Sequence, residues 1–300
     1  MQHHHHDEDH DRGLAHDLQV MAAMVERRRA LKWFAGAGTA AVIAGCSGGT
    51  TSSGTTVVTG STATPTPTST ATPAPTPTAT TSGSCIADPS ETAGPYPADG
   101  TNTSSGSTSN VLTISGIQRS DIRSSFISTT TVATGVQVVI TLTLVNVNAT
   151  CAPLAGYAVY LWHCDRSGLY SLYSAPTESY LRGVQVTDSN GQVTFTTIFP
   201  ACYSGRWPHM HFEIFSSLST ATSGGYSVLT SQLAMPTALC NTIFADTTTY
   251  PTSKSNFAAI SLASDNVFSD NTSAQIAQQT PTFTAATTGY TATALIGIAR

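Results

Sequence analysis

Residues 182–215 read RGVQVTDSNGQVTFTTIFPACYSGRWPHMHFEIF. On both sides of Asp188-Ser189-Asn190-Gly191, β-branched and aromatic residues alternate with polar ones. Asn-Gly supplies the positive φ that a tight turn needs, so the first half predicts two strands joined as a hairpin. The second half predicts a further strand, RWPHMHFEIF (206–215). Successive strand side chains point to opposite faces, so His209 and His211 share one face and Met210 and Phe212 the other. Two imidazoles on one face of an otherwise apolar strand are costly to bury unless something occupies them. A metal ion is the obvious occupant.

Outward from this stretch, GVQVVITLTLVNV (135–147), GYAVYLWHC (156–164) and YSVLTSQLAM (226–235) read as further strands. No segment longer than about ten residues shows capped helical periodicity. Strands without helical crossovers predict antiparallel sheets, and the domain reads as all-β, an antiparallel β-sandwich. The tail GYTATALIGIA (289–299) alternates as well and is expected to close an edge of the sheet.

The chain has 300 residues, of which 40% are hydrophobic and only 10% charged, with a net charge of −5. No basic cluster lies beyond residue 32, which argues against nucleic acid as a partner, because neutralising phosphates takes many Lys or Arg. Of nine histidines, six fall in the first 16 residues, leaving His163, His209 and His211. Residues 1–46 read as a leader and export signal. Arg27-Arg28 with Leu31-Lys32 has the twin-arginine pattern, and the apolar run that follows is shorter than the ~20 residues a membrane span needs. Ile43 to Cys46 spell a lipoprotein-type cleavage box, so the protein is expected to be exported, periplasmic or extracellular, with attachment to a membrane through a lipidated Cys46. Residues 47–84 are Ser/Thr/Pro/Gly-rich with few large apolar residues, and predict a disordered linker. Residues 85–300 then form the globular domain. Its five cysteines (Cys85, Cys151, Cys164, Cys202 and Cys240) predict disulfides with one thiol left over.

A facial triad for ferrous iron would need a carboxylate beside the two histidines. Glu213 shares their face, but a third ligand in line on one strand fits poorly. The nearby oxygen donors are tyrosines: Tyr170 and Tyr173 after the Asp165-Arg166-Ser167-Gly168 turn, and Tyr203. A phenol with a pKa near 10 becomes phenolate at neutral pH only beside a strong Lewis acid, and ferric iron suits. Tyrosines in sandwiches more often pack their rings and hydrogen-bond to backbone. His163 reads as a satisfied core histidine, Arg206 in isolation equally as an ion-pair partner, and Tyr96 and Tyr173 as walls of a pocket.

ETAGPYP (91–97), AGYAVYLWHCDRSGLYSLY (155–173), the stretch from Leu181 to Phe215 and SQLAMP (231–236), in that order, resemble the intradiol ring-cleavage dioxygenases, typified by protocatechuate 3,4-dioxygenase and catechol 1,2-dioxygenase. The resemblance implies a β-sandwich holding Fe(3+) through Tyr170, Tyr203, His209 and His211. It implies a catechol-type substrate and O2, with Tyr203 as departing ligand and base, Arg206 stabilising the electron-rich substrate, and Gln232 as a nearby polar contact. The competing reading is a surface lipoprotein that binds catechols or catechol–iron chelates at the same site without turnover.

Overall fold

The computed structural model describes residues 85–300; the leader, signal and linker readings lie outside the described residues. Two sheets face one another. In the first, β1 (Gln137–Asn146) is flanked on one side by β5 (Gln192–Ile198) and, at its far end, by β2 (Ala152–Pro153). Its other neighbour is β9 (Tyr290–Ile298), which in turn pairs with β8 (Thr282–Ala285). The second sheet runs β4 (Arg182–Val186), β3 (Ala158–Trp162), β6 (His209–Phe215) and β7 (Leu229–Ala234), antiparallel throughout. Three short helices, α1 (Thr237–Ile243), α2 (Ser253–Ala258) and α3 (Ser273–Gln279), follow β7. Among the described residues no helix is long and apolar enough to cross a membrane.

The alternation seen in the sequence becomes the core. Val138, Ile140, Leu142 and Leu144 of β1 and Val193 and Phe195 of β5 point inward, against Met210, Phe212 and Ile214 of β6. Every residue of β6 is buried, so its second face, which carries His209, His211 and Glu213, is covered too. The cover is the 92–99 segment, which reaches Gln232, His211 and, through Asp99, the neighbourhood of Glu213.

Three expectations are corrected. The two strands around Asp188–Gly191 do not pair with each other: β4 joins β3 and β5 joins β1, so the turn carries the chain from one sheet to the other. The turn chemistry itself is as expected, with Asp188 Oδ1 accepting from the Asn190 and Gln192 amides and Gly191 at φ +73°. Two alternating strands and a tight turn specify a reversal, and in a sandwich either sheet can supply the partners. The tail strand β9 is not an edge strand. It lies between β1 and β8 and runs parallel to β1, burying Ala292, Ala294 and Ile296. Of the five cysteines, only Cys85 and Cys151 are bonded; Cys164, Cys202 and Cys240 are buried free thiols. Thiols packed in a core behave as small hydrophobes, so parity of the count says nothing about pairing.

Asp88 fastens the start of the domain to β9. Its Oδ2 accepts from the Gly297 amide at 2.7 Å and from Gln278 Nε2 at 3.3 Å, and burial pushes its carboxyl up to about 7. Folded protein therefore holds this proton up to about pH 7, whereas the unfolded chain releases it near 3.8. Over that window the native state binds more protons, so this group's contribution to stability falls as pH rises, by at most on the order of 4 kcal/mol. Asp88→Asn is expected to flatten that part of the stability profile. Urea midpoints at pH 5 and pH 8 should converge in the variant relative to the parent; an unchanged difference would show that Asp88 does not set it.

Candidate metal and catalytic site

β6 presents His209 and His211 with their Nε2 atoms 3.0 Å apart and their rings nearly perpendicular. The carbonyl of Trp207 lies 2.6 Å from His209 Nδ1, which assigns the proton there and leaves the Nε2 lone pair facing into the site. His211 is held on two sides. Its direct cross-strand neighbour Trp162 stacks on it at 4.9 Å and 6°, and Gly94 lies close against its ring edge. A Cβ at Gly94 would stand 3.2 Å from His211 Cε1, and its φ of +70° already favours glycine.

Tyr170 follows a turn in which Asp165 Oδ1 accepts from the Ser167 and Leu169 amides. Its Oη lies 3.3 Å from His209 Nε2 and 3.2 Å from His211 Nε2. Tyr203 Oη lies 3.3 Å from His209 Nε2. Here too a glycine permits the approach: Gly168, at φ +85°, is so close that a Cβ would sit 2.9 Å from Tyr203 Cβ. All four predicted ligand residues thus converge. Tyr170, His209 and His211 are fully buried and Tyr203 partly exposed.

The donor set fits a small, hard, highly charged cation. Ligand bonds of about 2.0–2.1 Å at near-right angles place adjacent donor atoms roughly 3 Å apart, as they are here. Burial pushes both imidazoles well below their usual pKa, so they are neutral lone-pair donors. Burial likewise pushes Tyr203 up to about 12 and Tyr170 well above the ordinary phenol range, so neither phenol ionises without a cation beside it. Among the described residues no three His, Cys, Asp or Glu side chains converge on a possible ion. Glu213 does not join the histidines; its carboxyl lies beside Asp99, under Gly224. The disfavoured carboxylate triad is therefore not assembled.

Arg206 and Gln232 border the same space. Gln232 is the cross-strand neighbour of His211; its Oε1 accepts from Arg206 Nη2 at 2.7 Å and its Nε2 donates to the Thr92 carbonyl. Arg206 is also an ion-pair residue, with Nε 2.9 Å from Asp265 Oδ2. The ion-pair reading of Arg206 is thus observed, and its Gln232 contact places it beside the histidine strand. Tyr96 packs on Tyr170 with ring centroids 4.8 Å apart and walls the site, whereas Tyr173 stands behind Tyr96, bonded to Ala98 and Asn102. His163 is a satisfied core residue, its ring nitrogens within 2.6 Å of Thr197 Oγ1 and 2.8 Å of the Cys164 carbonyl.

Four contributors escaped the sequence reading: Asp265, Trp162 as a stacking partner, Gly94 and Arg182. The side chain of Arg182 is wholly buried and donates to the Ser171 hydroxyl and carbonyl, the Pro97 and Tyr96 carbonyls and Tyr160 Oη. It ties the covering segment to the residue next to Tyr170. Nothing in RGVQV marks this arginine as buried.

The dioxygenase family model matches residues 116–222, a stretch that contains Tyr170, Tyr203, Arg206, His209 and His211. No curated protein matches the chain. Among solved structures, the crystal structure of the dioxygenase Tetur07g02040 is 25% identical, with 72% of this chain and 95% of that one covered at a TM-score of 0.50. The intradiol ring-cleavage dioxygenase from Tetranychus urticae is 24% identical over the same shares, with a TM-score of 0.49. For 3-chlorocatechol 1,2-dioxygenase from Rhodococcus opacus 1CP the figures are 18% identity, 71% and 72% coverage and 0.42. In motif order, matched family and fold, the chain resembles the intradiol ring-cleavage dioxygenases.

Proposed function

We propose that this protein is a ferric, non-haem dioxygenase that opens catechol rings between the two hydroxylated carbons. The observation that carries the proposal is the buried convergence of Tyr170 Oη, Tyr203 Oη, His209 Nε2 and His211 Nε2, with neighbouring donors 3.0–3.3 Å apart. These four residues would hold the iron. Bound there, ferric iron supplies a Lewis acid that favours the doubly deprotonated catechol and renders its ring reactive toward O2, both atoms of which end in the muconate product.

The chain's own groups carry the rest. Tyr203 is the least enclosed of the four, so its Oη is the one free to leave its place and take a proton from a catechol hydroxyl. Tyr170 is fixed by the Tyr96 ring and by the hydrogen bond that its backbone N–H donates to Ser174 Oγ. Arg206 offers a buried guanidinium to the electron-rich ring, in a site where few waters compete. Trp162 and Gly94 keep His211 in plane. Export remains part of the proposal: the Cys85–Cys151 disulfide suits an oxidising compartment, as the Arg27-Arg28 leader does.

The test is a visible spectrum of the purified protein with ferric iron, before and after anaerobic catechol, followed by admission of oxygen. A phenolate-to-metal absorption band that shifts with catechol, then uptake of one O2 per catechol, is the expected result. Protein that stays colourless with iron supplied, and consumes no oxygen, would overturn the reading.

A further inference from the structure

Asp265 is wholly buried and lies 59 residues beyond Arg206, outside the stretch matched by the family model. Its carboxylate is saturated. Oδ2 accepts from Arg206 Nε at 2.9 Å and from the Trp207 amide at 2.7 Å; Oδ1 accepts from the Val267 and Phe268 amides at 2.8 and 3.0 Å. Four donors, two on each oxygen, leave the carboxylate little freedom to turn, so it is a rigid anchor. Arg206 is then gripped at two points of its planar fork, Nε by Asp265 and Nη2 by Gln232. A guanidinium held at two edges cannot rotate, and its third edge is fixed by geometry. That third group, Nη1, is buried and has no protein partner. An unpartnered buried donor costs free energy, and in native structures such groups usually have a purpose. Nη2 reaches Gln232, the cross-strand neighbour of His211, so the guanidinium lies beside the strand that carries both histidines.

We infer that Asp265 is a positioning residue for ring cleavage: it locks Arg206 so that Nη1 is aimed, without rotational freedom, at the oxygen-bearing edge of the bound catechol. This rests on the dioxygenase reading above. The ion pair with Asp265 offsets part of the Arg206 charge, so what the site gains is chiefly a directed, charge-assisted hydrogen bond. Gain is therefore concentrated in the rate of the chemical step, where charge shifts, and is small in ground-state binding.

Asp265→Asn keeps the shape and loses the charge. Loosening a pre-aimed group by an ångström costs on the order of 10²-fold in rate, so kcat should fall by roughly that factor while KM changes by no more than about threefold. The cost should vanish when Arg206 is already Gln: Asp265→Asn in an Arg206→Gln background should lower kcat by less than about twofold, as for residues acting as one unit. A residue that merely braces its loop would instead impose the same loss in both backgrounds, and equal losses would overturn the inference.

Should the Asn variant fail to fold, the parent protein decides. With gallium(III) as a diamagnetic substitute for iron, and arginine labelled with 15N, anaerobic catechol should move the Arg206 Nη1 resonance and leave Nε in place. An Nη1 signal that ignores catechol would overturn the inference on its own. Parent protein that turns over catechol while Asp265→Asn keeps full kcat defeats this proposal alone; parent protein that consumes no oxygen defeats both.

Discussion

Tyr203→Phe is expected to lower catechol turnover by about 10²–10⁴-fold, the range that a positioned proton acceptor contributes, and to do so in a protein that still melts at its normal temperature. Phenylalanine keeps the ring that Gly168 presses against and removes only the oxygen 3.3 Å from His209 Nε2. Tyr203 is partly exposed, so losing its hydroxyl leaves no orphaned partner deep in the core. The same change at Tyr170 should be more severe. Its Oη is within 3.3 Å of both imidazoles and it is fully enclosed, so Tyr170→Phe removes the one phenol that bridges them. Iron content, visible spectrum and oxygen uptake, measured side by side on the two variants, check this. Loss of turnover with colour partly retained in Tyr203→Phe, against loss of both in Tyr170→Phe, is the expected split. Full activity in either variant would remove that phenol from the site.

Arg182→Met should be the most damaging substitution for the fold. The thioether fills part of the volume but takes the Arg182 donors away from the Tyr96 and Ser171 carbonyls and the Ser171 hydroxyl and leaves the Pro97 carbonyl to Tyr160 Oη alone, all around a side chain that is 0% exposed. Stripping one partner from such a buried network costs on the order of 3–5 kcal/mol. At about 2–4 °C per kcal/mol for a domain of this size, the melting temperature should drop by roughly 6–20 °C. Metal affinity should fall with it, because the covering segment that brings Gly94 against His211 is hung from this arginine. A melting temperature within about 2 °C of the parent, near what a single kcal/mol would shift, would show that the carbonyls find other donors.

These two residues illustrate how far the sequence could be read. His209 and His211 were legible because a strand's period of two is strict, and two histidines in an apolar strand demand an explanation. Tyr170 and Tyr203 needed the order of motifs from residue 91 to residue 236, since a tyrosine alone announces nothing. Arg182, Trp162 and Asp265 were invisible as contributors for one shared reason: their roles depend on which strand lies opposite, or on a loop far along the chain. Trp162 meets His211 only through the β3–β6 register, and Asp265 meets Arg206 only once the 261–271 segment folds back. The misread hairpin has the same origin. Asn190-Gly191 encodes a reversal of direction, and no local signal encodes which sheet receives each arm.

The seat of β9 has a consequence in time. β1 cannot complete its sheet until a strand about 150 residues later is available, since Val138 takes Tyr290 as its partner. At a synthesis rate of roughly 5–20 residues per second, one edge of β1 stays open for on the order of ten to thirty seconds of each chain's birth. An open apolar strand edge invites pairing with a neighbouring chain. Yield of folded protein should therefore depend on how quickly the distal residues arrive and on what shields that edge meanwhile, a kinetic vulnerability that the finished sandwich no longer displays.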